Sequence, residues 1–167
     1  MEYSIVYSSN TGNTAMLAEV IKEELGTEEC RYFGGVDSKG CDTCKIFIGF
    51  WTDKGTCAEE MEDFLKTLRN KEIFIFGTAG FGGSEEYYNT ILKAVEKNID
   101  SSNKILGTYM CQGKMPIGIR KRYEKMMNES KEEIKFKNLI DNFDRAAFHP
   151  NKEDFKELRD RIKESLQ

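Results

Sequence analysis

The chain has no apolar run approaching the roughly 18 residues that a membrane-spanning helix needs, so no membrane partner is expected. Its first residues, Met1-Glu2-Tyr3-Ser4-Ile5-Val6-Tyr7, lack the basic stretch and small-residue cleavage site of an export signal. A cytoplasmic location is the expectation. Basic excess is also missing: 29 Asp and Glu stand against 25 Lys and Arg, a formal net charge of −4. Nucleic-acid binding requires a basic footprint, so no nucleic-acid partner is expected. The balance fits docking on basic partner surfaces instead. There is no internal repeat, low-complexity segment or linker, and 167 residues suffice to bury a core without disulfides or metals. One domain spanning 1–167 is expected.

Regular cysteine spacing is absent too. Cys30, Cys41, Cys44, Cys57 and Cys111 are an odd number without a secreted disulfide framework and read as free thiols. Cys41 and Cys44 have dithiol-switch spacing, but such thiolates are stabilised at a helix N-terminus. This pair precedes a strand, in a turn with Gly40. Zinc would want a second pair, so no metal site is expected. The lone His149 has no evident partner and, with Pro150, reads as the turn before the last helix.

What the sequence does have is alternation of strand and helix signals. Residues 2–7 are short and rich in β-branched and aromatic side chains, as strands are. Leu17, Val20, Ile21 and Leu25 follow at helical spacing, and Gly26 is a natural stop. A weak strand runs from Cys30 to Phe33. Residues 45–50 and 73–76 are continuous apolar runs, suited to strands covered on both faces, and Lys104–Cys111 supplies a fifth. Helices between them are marked by Met61, Phe64, Leu65 and Leu68, then by Tyr88, Ile91, Leu92 and Val95. Five strands separated by helices imply an α/β three-layer sandwich with a five-stranded parallel sheet. The last third is helical. Ile119, Tyr123, Met126 and Met127 mark one helix. Ser130 with Glu133 reads as a capping box opening the next, which carries Phe136, Leu139, Ile140 and Phe143. Asn151 with Asp154 caps the last, with Phe155, Leu158, Ile162 and Leu166. The stretch Arg120-Lys121-Arg122 reads as a solvated helix face, with a docking patch as the sharper option.

The most informative segment is Tyr7-Ser8-Ser9-Asn10-Thr11-Gly12-Asn13-Thr14, between the first strand and first helix. A helix N-terminus presents free N–H groups and partial positive charge to an anion. Four hydroxyls and two amides add donors, and Gly12 lets the backbone wrap closely. No Lys or Arg is present, so a phosphate would be held by neutral groups. Rival phosphate sites fail: there is no Gly-x4-Gly-Lys-Ser/Thr and no Gly-x-Gly-x-x-Gly. The carboxylate pair of a receiver domain and the Cys-x5-Arg of a small tyrosine phosphatase are likewise missing.

Ser9-Asn10-Thr11-Gly12-Asn13-Thr14 resembles the Ser/Thr-x-Thr-Gly-x-Thr phosphate loop of flavodoxins, in the same place after the first strand. The resemblance continues at Gly49-Phe50-Trp51-Thr52-Asp53-Lys54-Gly55 and at Gly77-Thr78-Ala79-Gly80-Phe81-Gly82-Gly83-Ser84, the two loops that close on the flavin ring in that family. It covers residues 1–113 as an ordered set. It implies a flavodoxin-like sheet of order 2-1-3-4-5 with extra helices packed on it after residue 113, and FMN as cofactor. It assigns cofactor binding to Ser9, Asn10, Thr11, Gly12, Asn13, Thr14, Phe50, Trp51, Thr52, Thr78, Ala79, Gly80, Phe81 and Gly82. Trp51 is the only tryptophan and a flat wall for a ring. Phe81 is the second aromatic, with Tyr87 and Tyr88 as competitors. No side chain is assigned a catalytic role.

The implied function is electron carriage from a reductase to a partner redox enzyme. The alternatives are an FMN reductase acting directly on a small acceptor such as a quinone, and a cofactor-free binding scaffold. An acidic surface and an apolar cover disfavour anionic reduced flavin. Many flavodoxins place a Gly beside the ring-covering Trp so that a peptide can turn toward the ring. Here Thr52 and Asp53 follow Trp51, and the next glycine is Gly55. Cys111-Gln112-Gly113-Lys114 looks like a subfamily of short flavodoxins linked to an anaerobic reductase, such as one acting on a tetrapyrrole like bilirubin.

Overall fold

Strand pleat decides which side chains meet which layer. In the computed structural model, which describes residues 1–167, strand β3 (Lys45–Trp51) sends Ile46, Ile48 and Phe50 to one face and Phe47 to the other. All four are fully buried, because both faces are roofed by helices. The remaining strands are β1 (Tyr3–Tyr7), β2 (Cys30–Gly34), β4 (Glu72–Ala79) and β5 (Lys104–Gln112), all parallel, in the order β2-β1-β3-β4-β5. This is the α/β sandwich and strand order that the resemblance implies.

One face carries Val6, Ile46, Ile48, Phe50, Ile73, Ile75 and Met110. It is covered by α2 (Glu59–Thr67), through Met61, Phe64 and Leu65, and by α3 (Glu85–Glu96), through Ile91, Leu92 and Val95. The other face, with Tyr3, Ile5, Phe47, Phe74, Phe76 and Tyr109, meets α1 (Asn13–Leu25) and α6 (Lys152–Ser165). Burying each such side chain contributes about 1.5–3 kcal/mol. The spacing of Leu17, Ile21, Leu158 and Ile162 therefore fixes which helix faces turn inward.

Two further helices, α4 (Ile117–Glu129) and α5 (Glu133–Ala146), pack together beyond the carboxyl ends of β4 and β5. Their small core is Met115, Phe143 and Ala146, with Ile119 against it, and α4 buries no residue fully. The capping box expected at Ser130 and Glu133 does not form. Ser130 ends α4 in extended conformation, its hydroxyl accepts from Glu132 N, and α5 begins one residue after Glu132 with no side-chain cap. The box at Asn151 and Asp154 does form.

Candidate functional site

The carboxyl ends of β1, β3 and β4 lie side by side, so the three loops that follow them surround one cleft of about 340 Å³. Open α/β sheets place ligands here, where the chain leaves the sheet in opposite directions from neighbouring strands.

The first wall is the turn from β1 into α1. Gly12 sits at φ 94°, a conformation costing an L residue roughly 1–2 kcal/mol, and it allows the chain to enter α1 abruptly. Ser9 Oγ accepts from Gly12 N at 3.2 Å and Ala15 N at 3.3 Å, leaving its hydroxyl hydrogen free to donate. The amides of Ser9, Asn10, Thr11, Asn13 and Thr14 take no part in the turn and capping hydrogen bonds. First-turn amides have no intrahelical acceptor, so α1 offers a cluster of free donors with its positive dipole end behind them. Ser8 Oγ, at the root of the loop, is buried without a partner in the protein. Asn13 Nδ2 donates to Thr11 Oγ1 at 3.1 Å and to Lys114 O at 2.8 Å, pinning the loop to the segment after β5.

Thr14 has a different task from its neighbours. Its hydroxyl is fully buried, donates to Phe50 O at 3.2 Å and lies 3.0 Å from Thr78 Oγ1. It therefore ties the opening helix to the ends of β3 and β4.

The second wall follows β3. Trp51 lines the cleft, and Thr52 is held to Thr78 O by both its amide and its hydroxyl, each at 2.9 Å. Asp53 and Thr56 then close a two-residue turn with reciprocal amide bonds of 2.7 and 3.1 Å. Its tip, Lys54 and Gly55, has φ of 51° and 83°, the pair of positive values a type I′ turn demands.

The third wall is Thr78-Ala79-Gly80-Phe81. Gly80 O accepts from Gln112 Nε2 at 3.0 Å and from Asn142 Nδ2 at 3.1 Å, and Gln112 also donates to Asn142 Oδ1 at 3.0 Å. The peptide is planar and trans. With its carbonyl held by this buried network, the Phe81 N–H points away from Gln112 and Asn142.

Of the residues assigned from sequence, Asn10, Thr11, Asn13, Trp51, Thr52, Thr78, Ala79, Gly80 and Phe81 line the cleft together. Ser9 and Gly12 shape the loop behind it. Phe50 does not present its ring: the side chain is core, and only its carbonyl serves the site, through Thr14. Gly82 is turned the other way, pressed against Tyr88 and Gln112, where a Cβ would come within 2.4 Å of the Tyr88 hydroxyl. Tyr87 lines the cleft; Tyr88 packs against the core, where burial pushes its hydroxyl up to about 12. Sequence reasoning missed the wall formed by Gly113, Lys114, Met115, Pro116 and Ile119. Only the Gly113-Lys114 pair beside Gln112 was noticeable beforehand, and nothing local says that it faces β1.

The charge of the cleft also differs from expectation. Lys54 and Lys114 line it, and no carboxylate does. The cysteines stay apart from it. Burial pushes the thiols of Cys57 and Cys111 up, Cys57 to about 11, and raises Cys41 as well. Cys41 closes a short 3₁₀ turn rather than opening a helix. His149 does have a partner, Asp154, at 2.7 Å, but that carboxylate belongs to the capping box of α6. The pair borders a second cleft along β5, with Tyr88, Tyr109 and Arg161.

Comparison with known proteins agrees with this arrangement. A family model described as a flavodoxin domain matches residues 4–163. The chain is 38% identical over 168 residues to a flavodoxin-like domain-containing protein, BilS, of Clostridium symbiosum, covering 90% of this chain and 88% of that one. It is 31% identical over 165 residues to the BilS of Clostridioides difficile, covering 94% and 92%. Among solved structures, a short-chain flavodoxin associated with a non-canonical PDU bacterial microcompartment superimposes with a TM-score of 0.62. There the identity is 14%, with 99% of this chain and 97% of that one covered.

Proposed function

Because the chain belongs to the flavodoxin domain family, we propose that it carries electrons on FMN held in the cleft between the β1, β3 and β4 loops, taking them from a reductase and passing them to a larger redox enzyme. The observation that supports this reading best is the cluster of free neutral donors at the mouth of α1, opening into a cleft walled by Trp51 and Phe81.

The residues fit the group. A phosphate needs donors and positive potential, and the loop from Ser9 to Thr14 offers five free amides, the Ser9 and Thr11 hydroxyls and a helix dipole. The partnerless Ser8 Oγ at the root of the loop is the kind of buried polar atom that a ligand or ordered water satisfies. Trp51, Phe81 and Tyr87 supply flat apolar walls for a ring, and the Gly80-Phe81 peptide, held by Gln112 and Asn142, presents a fixed donor. Bound FMN supplies a ring that takes up and releases one or two electrons. The protein's own part is to hold that ring, exclude water from its inner face and set the charge around it. Within this reading, a reductase acting on a tetrapyrrole is the acceptor implied by residues 111–114, and the first to test.

The experiment is titration of the purified chain with FMN and with riboflavin, followed by reduction in the presence of a quinone. Stoichiometric uptake of FMN, weaker uptake of riboflavin and one round of electron delivery without turnover are expected. Failure to bind FMN would leave only the scaffold, and sustained quinone turnover would replace the carrier with a reductase.

A further inference from the structure

The one basic stretch of the sequence lies beside the cleft. Residues 114–125 contain Lys114, Arg120, Lys121, Arg122 and Lys125 against a single acid, Glu124, in a protein whose acids outnumber its bases 29 to 25. The fold places this segment at the cleft mouth: Lys114, Pro116 and Ile119 line the cleft, and α4 runs outward from it. Helical spacing puts Ile117, Lys121 and Lys125 in one row, three positions four apart, and all three are exposed. Ile119, by contrast, packs against the small core beside α5.

Ion pairing does not neutralise the row. Arg120 is held by Asp144 and Glu124, whereas Lys54, Lys114, Lys121, Arg122 and Lys125 enter none of the ion pairs in the fold. Two apolar side chains on this segment and in the cleft wall are uncovered as well: Ile117, which follows the cleft-lining Pro116, at 62% exposure, and Phe81, in the lining itself, at 42%. An apolar centre with a charged rim is the anatomy of a transient protein interface.

We propose that this face, with Phe81 and Ile117 at its centre and Lys54, Lys114, Lys121, Arg122 and Lys125 around them, is a docking surface for a redox partner whose own rim is acidic. The proposal rests on the FMN reading for its redox role, and it reverses the expectation drawn from the net charge. A complementary acidic rim would be drawn in by the local field, although the two proteins could both be acidic overall.

Small charged oxidants read the sign of that field. The reduced, FMN-loaded protein is mixed with ferricyanide, a trianion, or with hexaammineruthenium(III), a trication, at rising ionic strength. The ferricyanide rate is expected to fall by on the order of tenfold toward about 0.15 M salt, where the Debye length is about 8 Å, while the ruthenium rate rises. The double variant Lys121→Glu, Arg122→Glu, which leaves the cleft lining intact, should weaken or invert both trends. A rate set by the net charge of −4 would show the opposite pattern, and that result overturns the proposal. Should the chain take up no FMN, the carrier reading fails separately, and the surface is then read by NMR on the same full-length chain. Paramagnetic hexacyanochromate(III) should broaden the amides of residues 117–125 more than hexaamminechromium(III) does; equal or reversed broadening refutes the docking face.

Discussion

Replacing Thr14 with Val removes one hydroxyl and almost nothing else. The side chain is fully buried, its shape is kept, and the lost group makes two contacts: 3.2 Å to Phe50 O and 3.0 Å to Thr78 Oγ1. A net hydrogen bond is worth about 1 kcal/mol, and a buried acceptor left without its donor costs about 1–3 kcal/mol. Thr78 Oγ1 loses a partner too, and that residue is itself buried, although it borders the cleft. Thr14→Val should therefore destabilise the cofactor-free protein by about 1–3 kcal/mol, read as a shift of the urea midpoint at constant slope. Since this hydroxyl ties α1 to the ends of both ring-side strands, FMN and riboflavin should both bind more weakly, by about tenfold for each 1.4 kcal/mol of lost preorganisation. Unchanged cofactor-free stability with a loss confined to FMN would refute the reasoning, because the Thr14 hydroxyl would then be a phosphate donor and not a tie.

Asn142→Leu removes the bond to Gly80 O at 3.1 Å and the acceptor for Gln112 at 3.0 Å. A loss of about 1–2 kcal/mol in chemical denaturation and weaker riboflavin binding are expected, whereas unaltered ring affinity would show that the network does not position the third wall. Burial, with Glu62 adding to it, raises the Cys57 thiol from 9.0 to about 11. The folded state then holds that proton more tightly than the unfolded one, so this contribution is fully present below pH 9 and is lost as pH rises toward 11. Its size is about 2–3 kcal/mol. Cys57→Ala should flatten the fall in stability across that window, and identical pH profiles for the two proteins would contradict it.

The strands and most helices were legible because their causes are local, whereas the loops after β3 and β4 stood out only through their resemblance to flavodoxins. A β-branched and aromatic run such as Ile46-Phe47-Ile48 suits a strand roofed on both faces, and the spacing of Leu17, Val20 and Ile21 suits one helix face. The loop after β1 was legible for a related reason, since the cluster of small hydroxyl and amide residues around Gly12 lies between a strand and a helix, where backbone amides are left free. The cap at Ser130 failed because residue pattern does not report where the previous helix stops, and α4 runs on to Glu129. Phe50 and Gly82 sit in the loops that the resemblance assigns to the cofactor, yet strand pleat sends Phe50 to the core and Tyr88 fills the space over Gly82.

By itself, then, the order of residues determined the layers, the alternation of strand and helix, and the run of small hydroxyl and amide residues after β1, since each depends on periodicity or on neighbours a few positions apart. Only the tertiary structure decided that Lys114, Met115 and Ile119 close the cleft, that Asn142 of α5 holds the Gly80 carbonyl, and that the lysines gather at its mouth. Those contacts join residues 62 to 101 positions apart. Which distant segments meet is settled by how the whole core packs, and no local pattern encodes it.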